Sequence, residues 1–332
     1  MTTFALPRPP RALRLRGLIW LVWRQNRVAF WIGLGIALAV AVYAAVRHQE
    51  TVKAIDQRHL DACRGVIDPS SPCFSKILAF GADYQYPMRR PLQVMIVLPL
   101  LFGLFFGGPQ LAQELETGTY RTACSQSVSR VRWFLAKLAV PAAMTALISA
   151  VLALAMTWWW HPVADVMVGQ FPWYQWYPYY GIGPVVVGLS VLLFVVGATF
   201  GLLLRRTVAA MAATLVVGAG VLVLLDRIRG HLLPTVTVNK QHTSAIPGPD
   251  DAWVMSDGPL SASGARVSDV NICYSSHDFD KCLTAHGRTG HWADYHPASH
   301  LWPMQGVETA LCLMLAAALT ALCLWWMRRR LV

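Results

Sequence analysis

Seven cysteines and ten histidines are the residues of this chain best suited to redox or metal chemistry. Cys63 and Cys73 share one polar stretch, and Cys273 and Cys282 share another. Close cysteine pairs in an oxidising compartment form disulfides, so two local bridges are the simplest reading. Spacing alone leaves cross-pairing between the two stretches open. Cys124, Cys312 and Cys323 read as free, small apolar residues. Five histidines crowd into His277–His300, but no two have the spacing of a ligand pair on one helix. A solvated polar surface is therefore expected there, and no metal site.

Other chemistry is missing. The chain has no G-x-x-x-x-G-K-[ST] and no Gly-Lys pair, so it carries no phosphate-cradling loop. H-E-x-x-H, C-x-x-C and G-x-S-x-G are also absent. No catalytic residue and no bound cofactor are expected. The apolar runs hold no ionisable side chain in their cores. Lys137, Asp226 and Glu308 stand only at their ends. Ion-coupled carriers commonly keep such groups within the membrane for proton or ion relay, and their absence disfavours a proton antiporter. Sites built from backbone carbonyls are not excluded by it.

The elements that would position these residues are membrane helices. Of 332 residues, 55% are hydrophobic and 14% charged, with a mean hydropathy of +0.44, too apolar for an ordinary soluble domain. Six runs approach or exceed the ~18 residues of a membrane helix. They lie near Val28–Val46, Leu92–Pro109, Phe134–Trp160, Pro184–Leu204, Val208–Leu225 and Val307–Met327. The expected fold is an all-α polytopic membrane protein. Its segments are a cytoplasmic N-terminus (1–27), five spans (28–225), an extracytoplasmic domain between helices 5 and 6 (226–306), and the sixth span with a basic C-terminus (307–332). Within the five-span part, 47–91 reads as an outer loop and 110–133 as a cytoplasmic one. Arg205–Thr207 leaves room only for a tight hairpin between the fourth and fifth spans.

Basic residues set the orientation. With both termini inside, the inner segments hold 15 basic residues and two acids, and the outer ones 13 basic residues and 15 acids. The inner face thus carries +13 of the chain's net +11 and the outer face −2. Arginine outnumbers lysine 23 to 5, as in proteins from GC-rich bacterial genomes. The expected location is the bacterial plasma membrane. The first apolar run is too long for a signal peptide and lacks a cleavage pattern. Leu13–Arg27 places Leu15, Leu18, Ile19 and Val22 on one helical face with arginines at both ends, which suits a helix lying in the membrane interface. Simple extension of the first span is the alternative. Phe171–Gly181 holds seven aromatic residues shortly after Trp158–Trp160, which fits an interfacial aromatic belt, or a lip that touches cargo. Pro99, Gly103, Gly107, Gly108 and Pro109 interrupt the second span and permit close packing or a kink.

The inner segment QELETGTYRTACSQSVSR (Gln113–Arg130) is the most polar joint between two spans. A helical start ends at a Gly118–Thr119 break, and Ser129 is placed to cap the helix that becomes the third span. The order acid-x-acid-x-Gly-Thr, then Ser-Gln-Ser-Val-Ser-Arg, resembles the permease subunits of ABC-2 type exporters. LVWRQNR (Leu21–Arg27) and the six-span layout are similar to actinobacterial members. The resemblance implies a non-catalytic permease without a nucleotide-binding domain of its own. It implies a homodimer, or a heterodimer with a second permease, docked on a separate ABC ATPase that holds ATP and Mg. By the same resemblance Glu114, Glu116, Gly118 and Thr119 form the ATPase-coupling helix and its turn, with Glu114 or Glu116 expected to meet a basic residue of the ATPase. Ser127, Ser129 and Arg130 begin helix 3. An apolar, peptide-like or lipid-like cargo is expected, and no nucleic-acid partner. The alternative is a membrane sensor or scaffold with an extracytoplasmic ligand-binding domain, its inner loop merely joining spans.

Overall fold

The computed structural model describes residues 12–66, 68–118, 129–241, 246–267, 273, 277 and 279–330. Among the described residues, six helical stretches are long and apolar enough to cross a membrane, so this is a multi-pass membrane protein.

Helix α1 is Ala12–Gln57, 46 residues. At 1.5 Å per residue it is about 69 Å long, roughly twice the thickness of a bilayer core. Leu13–Arg27 and the membrane segment are thus turns of one uninterrupted helix. Past Val46 the chain holds no Gly or Pro before Gln57, and Ala, Gln, Glu and Lys sustain the helix beyond the apolar run. His59, in the left-handed conformation at φ 51°, ends it.

A disulfide between Cys63 and Cys73 closes the turn into the second span. Ser71 caps that span, its hydroxyl accepting the Cys73 N–H at 3.2 Å, and Pro72 takes the first helical position. The span runs through α2 (Pro72–Phe80), a π-helical turn (Gly81–Gln85), α3 (Tyr86–Leu101), a second π turn (Phe102–Gly107) and α4 (Gly108–Glu116). With the end of α1, the first part of this 45-residue span makes most of the expected outer loop 47–91 helical.

The third span, α5, is Arg130–Val166. Short α6 (Trp176–Gly181) leads into α7 (Val185–Leu204) and α8 (Thr207–Ile228). Between α7 and α8 only Arg205, at φ 53°, and extended Arg206 intervene.

The segment after α8 corrects the all-α expectation. It folds into a three-stranded antiparallel sheet of β1 (Val236–Gln241), β2 (Trp253–Ser261) and β3 (Arg288–His296), in the order β1-β3-β2. Val236 pairs with Tyr295 and Trp253 with His296. The strands are short and partly polar, so they lack the apolar run that betrays a helix. Helix α9 (Phe279–Ala285) is tied by a Cys273–Cys282 disulfide. The sixth span, α10, is Leu301–Arg330.

Helix α7 is the centre of the bundle and is mostly buried, packing against the second span, α5, α8 and α10. Its crossing with the second span is backbone against backbone. A Cβ on Gly107 would overlap the Phe194 carbonyl, and one on Gly197 would overlap the Gly103 carbonyl. The interrupting glycines are thus contact points. Helices α1, α8 and α10 lie at the periphery and expose apolar side chains such as Trp31, Val216 and Met314.

Candidate functional site

Basic residues outnumber acids at one end of the bundle, and both disulfides lie at the other, where the two are near balance. At the basic end, α4 stops at Glu116. Thr117 closes it, with both its N–H and its hydroxyl on the Gln113 carbonyl at 3.0 and 2.8 Å. Gly118 follows at φ +73°, the left-handed turn that glycine adopts without steric cost. Across the joint, Ser129 caps α5, its hydroxyl accepting the Arg132 N–H at 3.4 Å, and Arg130 is the first residue of that helix. Thr119, Ser127 and Cys124 lie outside the described residues.

Both acids of this segment have partners within the chain. Lys137 of α5, only 5% exposed, makes a close ion pair with Glu114 and donates to the Gln25 side-chain oxygen at 2.6 Å. That contact joins α1, α4 and α5. Glu116 accepts both the backbone N–H and the hydroxyl of Thr207, at 3.0 and 2.9 Å. Its carboxylate therefore caps the positive end of α8. The two residues expected to meet another protein also brace α4 to α1, α5 and α8. Position relative to Gly118 could suggest a loop base, but a partner 23 or 91 residues away in sequence leaves no local pattern.

A second polar cluster, at the disulfide end, was not visible in the sequence. Arg229, 7% exposed, lies over the rings of Tyr179, Trp253 and Tyr180 at 4.8, 4.9 and 5.6 Å, with Nε 3.2 Å from Asp226. Glu308 is fully buried and accepts the Tyr179 hydroxyl at 2.9 Å. Gln305 donates to the Tyr179 carbonyl at 2.8 Å. Beside them His296, also fully buried, places Nε2 3.0 Å from the Gly230 carbonyl and Nδ1 3.1 Å from Nδ1 of His300. Burial holds the His296 imidazole below its usual pKa; the Gly230 contact opposes this, and His300 and His231 add to it. His296 is thus an exception to the solvated histidine surface expected for this stretch.

The aromatic segment also departs from the expected interfacial belt. Phe171, Trp173, Tyr177, Tyr179 and Tyr180 are buried, and Trp176 is exposed. Tyr174 stacks on Trp253 at 5.6 Å, so this segment seats the sheet on the bundle. Near the second disulfide, His286 approaches Cys273 and Cys282, but their sulfurs are bonded to each other and are not thiolate ligands.

The chain is a helical bundle with a braced polar joint at one end and a small disulfide-tied domain at the other, and its family match makes it a permease-type transporter. Residues 34–229 match the family described as ABC-2 membrane transporter related, and the chain belongs to that family. The match runs from within α1 to the end of α8 and excludes the sheet. Comparison with curated proteins and with solved structures gives no match.

Proposed function

We propose that the chain is the membrane subunit of an exporter driven by a separate ABC ATPase. The family match over 34–229 carries this reading. On this reading the basic end faces the cytoplasm, in accord with the distribution of Arg and Lys, and the disulfide end faces the oxidising exterior of a bacterial plasma membrane. The loop between Gly118 and Ser129 receives the ATPase. Glu114 and Glu116 act as positioning residues: a push on the loop reaches α1 and α5 through Lys137 and α8 through Thr207. Two permeases, identical or related, assemble on two ATPase subunits. The cargo is apolar, peptide-like or lipid-like and moves outward.

The test is mild extraction followed by affinity purification of the full chain with the co-expressed ATPase. Replacing residues 119–128 by a Gly/Ser segment of equal length should abolish ATPase recovery and leave permease elution unchanged. Undiminished recovery would refute the docking surface, and absence of any ATPase with the native chain would refute the exporter reading.

A further inference from the structure

At the basic end, α1 and α5 lie side by side and run the same way. Gln25 sits beside Lys137, and an added Cβ on Gly33 would meet the Ile148 side chain. Between the two helices a groove of about 520 Å³ stays open. Ala136, Ala139 and Ala143 form its hollow on α5, and Trp23 and Phe30 line it from α1. Ile19, Leu135 and Leu147 also line it and are exposed, so it opens outward from the bundle toward the bilayer. Among the described residues its one charged lining residue is Arg132, exposed in the first turn of α5.

The groove follows α5 from Arg132 to Leu147 and α1 from Ile19 to Phe30, about 17–22 Å at 1.5 Å per residue. That matches the depth of one leaflet, about 20 Å with its headgroups. Spread over about 20 Å, 520 Å³ gives a section of about 26 Å², far below the ~80 Å² of a helix about 10 Å across. The groove is thus sized for a hydrocarbon chain and not for a helix of a second copy. Charge decides what heads that chain. Arg132 makes no ion pair among the described residues. The two acids of the inner segments, Glu114 and Glu116, are already held by Lys137 and Thr207. Fifteen basic residues share those segments, so the mouth of the groove favours an anion.

We propose that this groove holds one acyl chain of an anionic phospholipid, drawn from the leaflet at the basic end. The phosphate meets the Arg132 guanidinium in a charge-assisted contact. The chain runs along the hollow over Ala136, Ala139 and Ala143. Burial of its methylenes supplies the apolar part of the binding, and Arg132 supplies the headgroup preference. Seated there, the lipid packs α1 against α5 next to the contact of Lys137 with Gln25 and Glu114. The site depends neither on the ATPase nor on the nature of the cargo.

The test is photolabelling of the purified full chain in phosphatidylcholine nanodiscs. A trace of phosphatidylglycerol carries a diazirine on its acyl chain; in a parallel sample the probe is phosphatidylcholine with the same chains. Labelled peptides are mapped by mass spectrometry. Peptides covering 135–147 should take up the phosphatidylglycerol probe about fivefold more, the effect of one basic residue at an anionic headgroup. Arg132→Gln should remove that preference, and Arg132→Lys should retain it. Ala139→Leu/Ala143→Leu fills the hollow from exposed positions and should cut labelling by both probes severalfold, with elution and melting unchanged. Equal labelling of the native chain by the two probes, or a preference that survives Arg132→Gln, would overturn the proposal. So would undiminished labelling of the filled variant, and if that variant turned a dimer into a monomer the groove would belong to a second copy.

Discussion

Lys137 shows how much a single buried cation can organise. Its stem lies in α5, and its ammonium faces Gln25 and Glu114 from two other helices. Desolvating such a pair gains little net stability, but removing one partner leaves an uncompensated buried charge. Lys137→Met is therefore expected to cost about 3 kcal/mol. Lys137→Met with Glu114→Gln should recover most of the loss, because the stranded carboxylate is gone. Thermal unfolding in detergent checks both, and equal destabilisation by the single and double variants would contradict the pairing. The sequence showed Lys137 at the end of an apolar run and Glu114 in the polar joint before it. It held no sign that they face each other, because helix rotation and crossing decide that.

At the scale of elements, the spans were largely legible and their lengths were not. Six apolar runs predicted six spans, because a bilayer demands continuous apolar surface. Where α1 and the second span leave that solvent, helix propensity and capping by Ser71 govern them, and these weaker signals hid the extension through 47–57 and 72–91. The glycines of the second span were legible as sites of close packing or a kink, but their partner was not. Gly197 meets the Gly103 carbonyl, so Gly197→Ala should cost about 1–3 kcal/mol by overpacking. Gly220 on α8 has no atom within 4 Å of an added Cβ, and Gly220→Ala should be near neutral or mildly stabilising. A comparison of melting temperatures decides this; equal effects would mean that α7 does not approach the second span closely.

For the whole molecule, the sheet domain was legible only as a polar insertion. Its strands alternate over short stretches, and its fastening residues, His296, Arg229 and Trp253, are scattered over some 70 positions. The fastening is pH-sensitive. Folding lowers the His296 pKa, so the folded state favours the neutral ring. The stability this provides is full above the unfolded value of 6.5 and is lost as pH falls from there toward the lowered folded value. Asp294 is held below the usual carboxylate range, first by its hydrogen bonds to Arg266 and Thr237, and adds a second loss in the same direction at lower pH. Melting temperature should therefore fall between pH 7.5 and pH 5.5, and His296→Asn should flatten that interval. An unchanged slope in the variant would place the titrating group elsewhere.

Strand β1 continues from α8 and strand β3 leads into α10, and these two strands are hydrogen-bonded neighbours. Helices α8 and α10 share no substantial packing of their own, each lying against α7. The sheet is thus a pivot that fixes their separation at one end only. Relative movement of the two helices must become rotation about it, with an amplitude that grows along their length. For a 22-residue helix of about 33 Å, a turn of about 10° swings the far end by about 6 Å. In mechanical terms, α8 would act as a lever hinged on the sheet domain, with Glu116 holding it at the end with the longest arm.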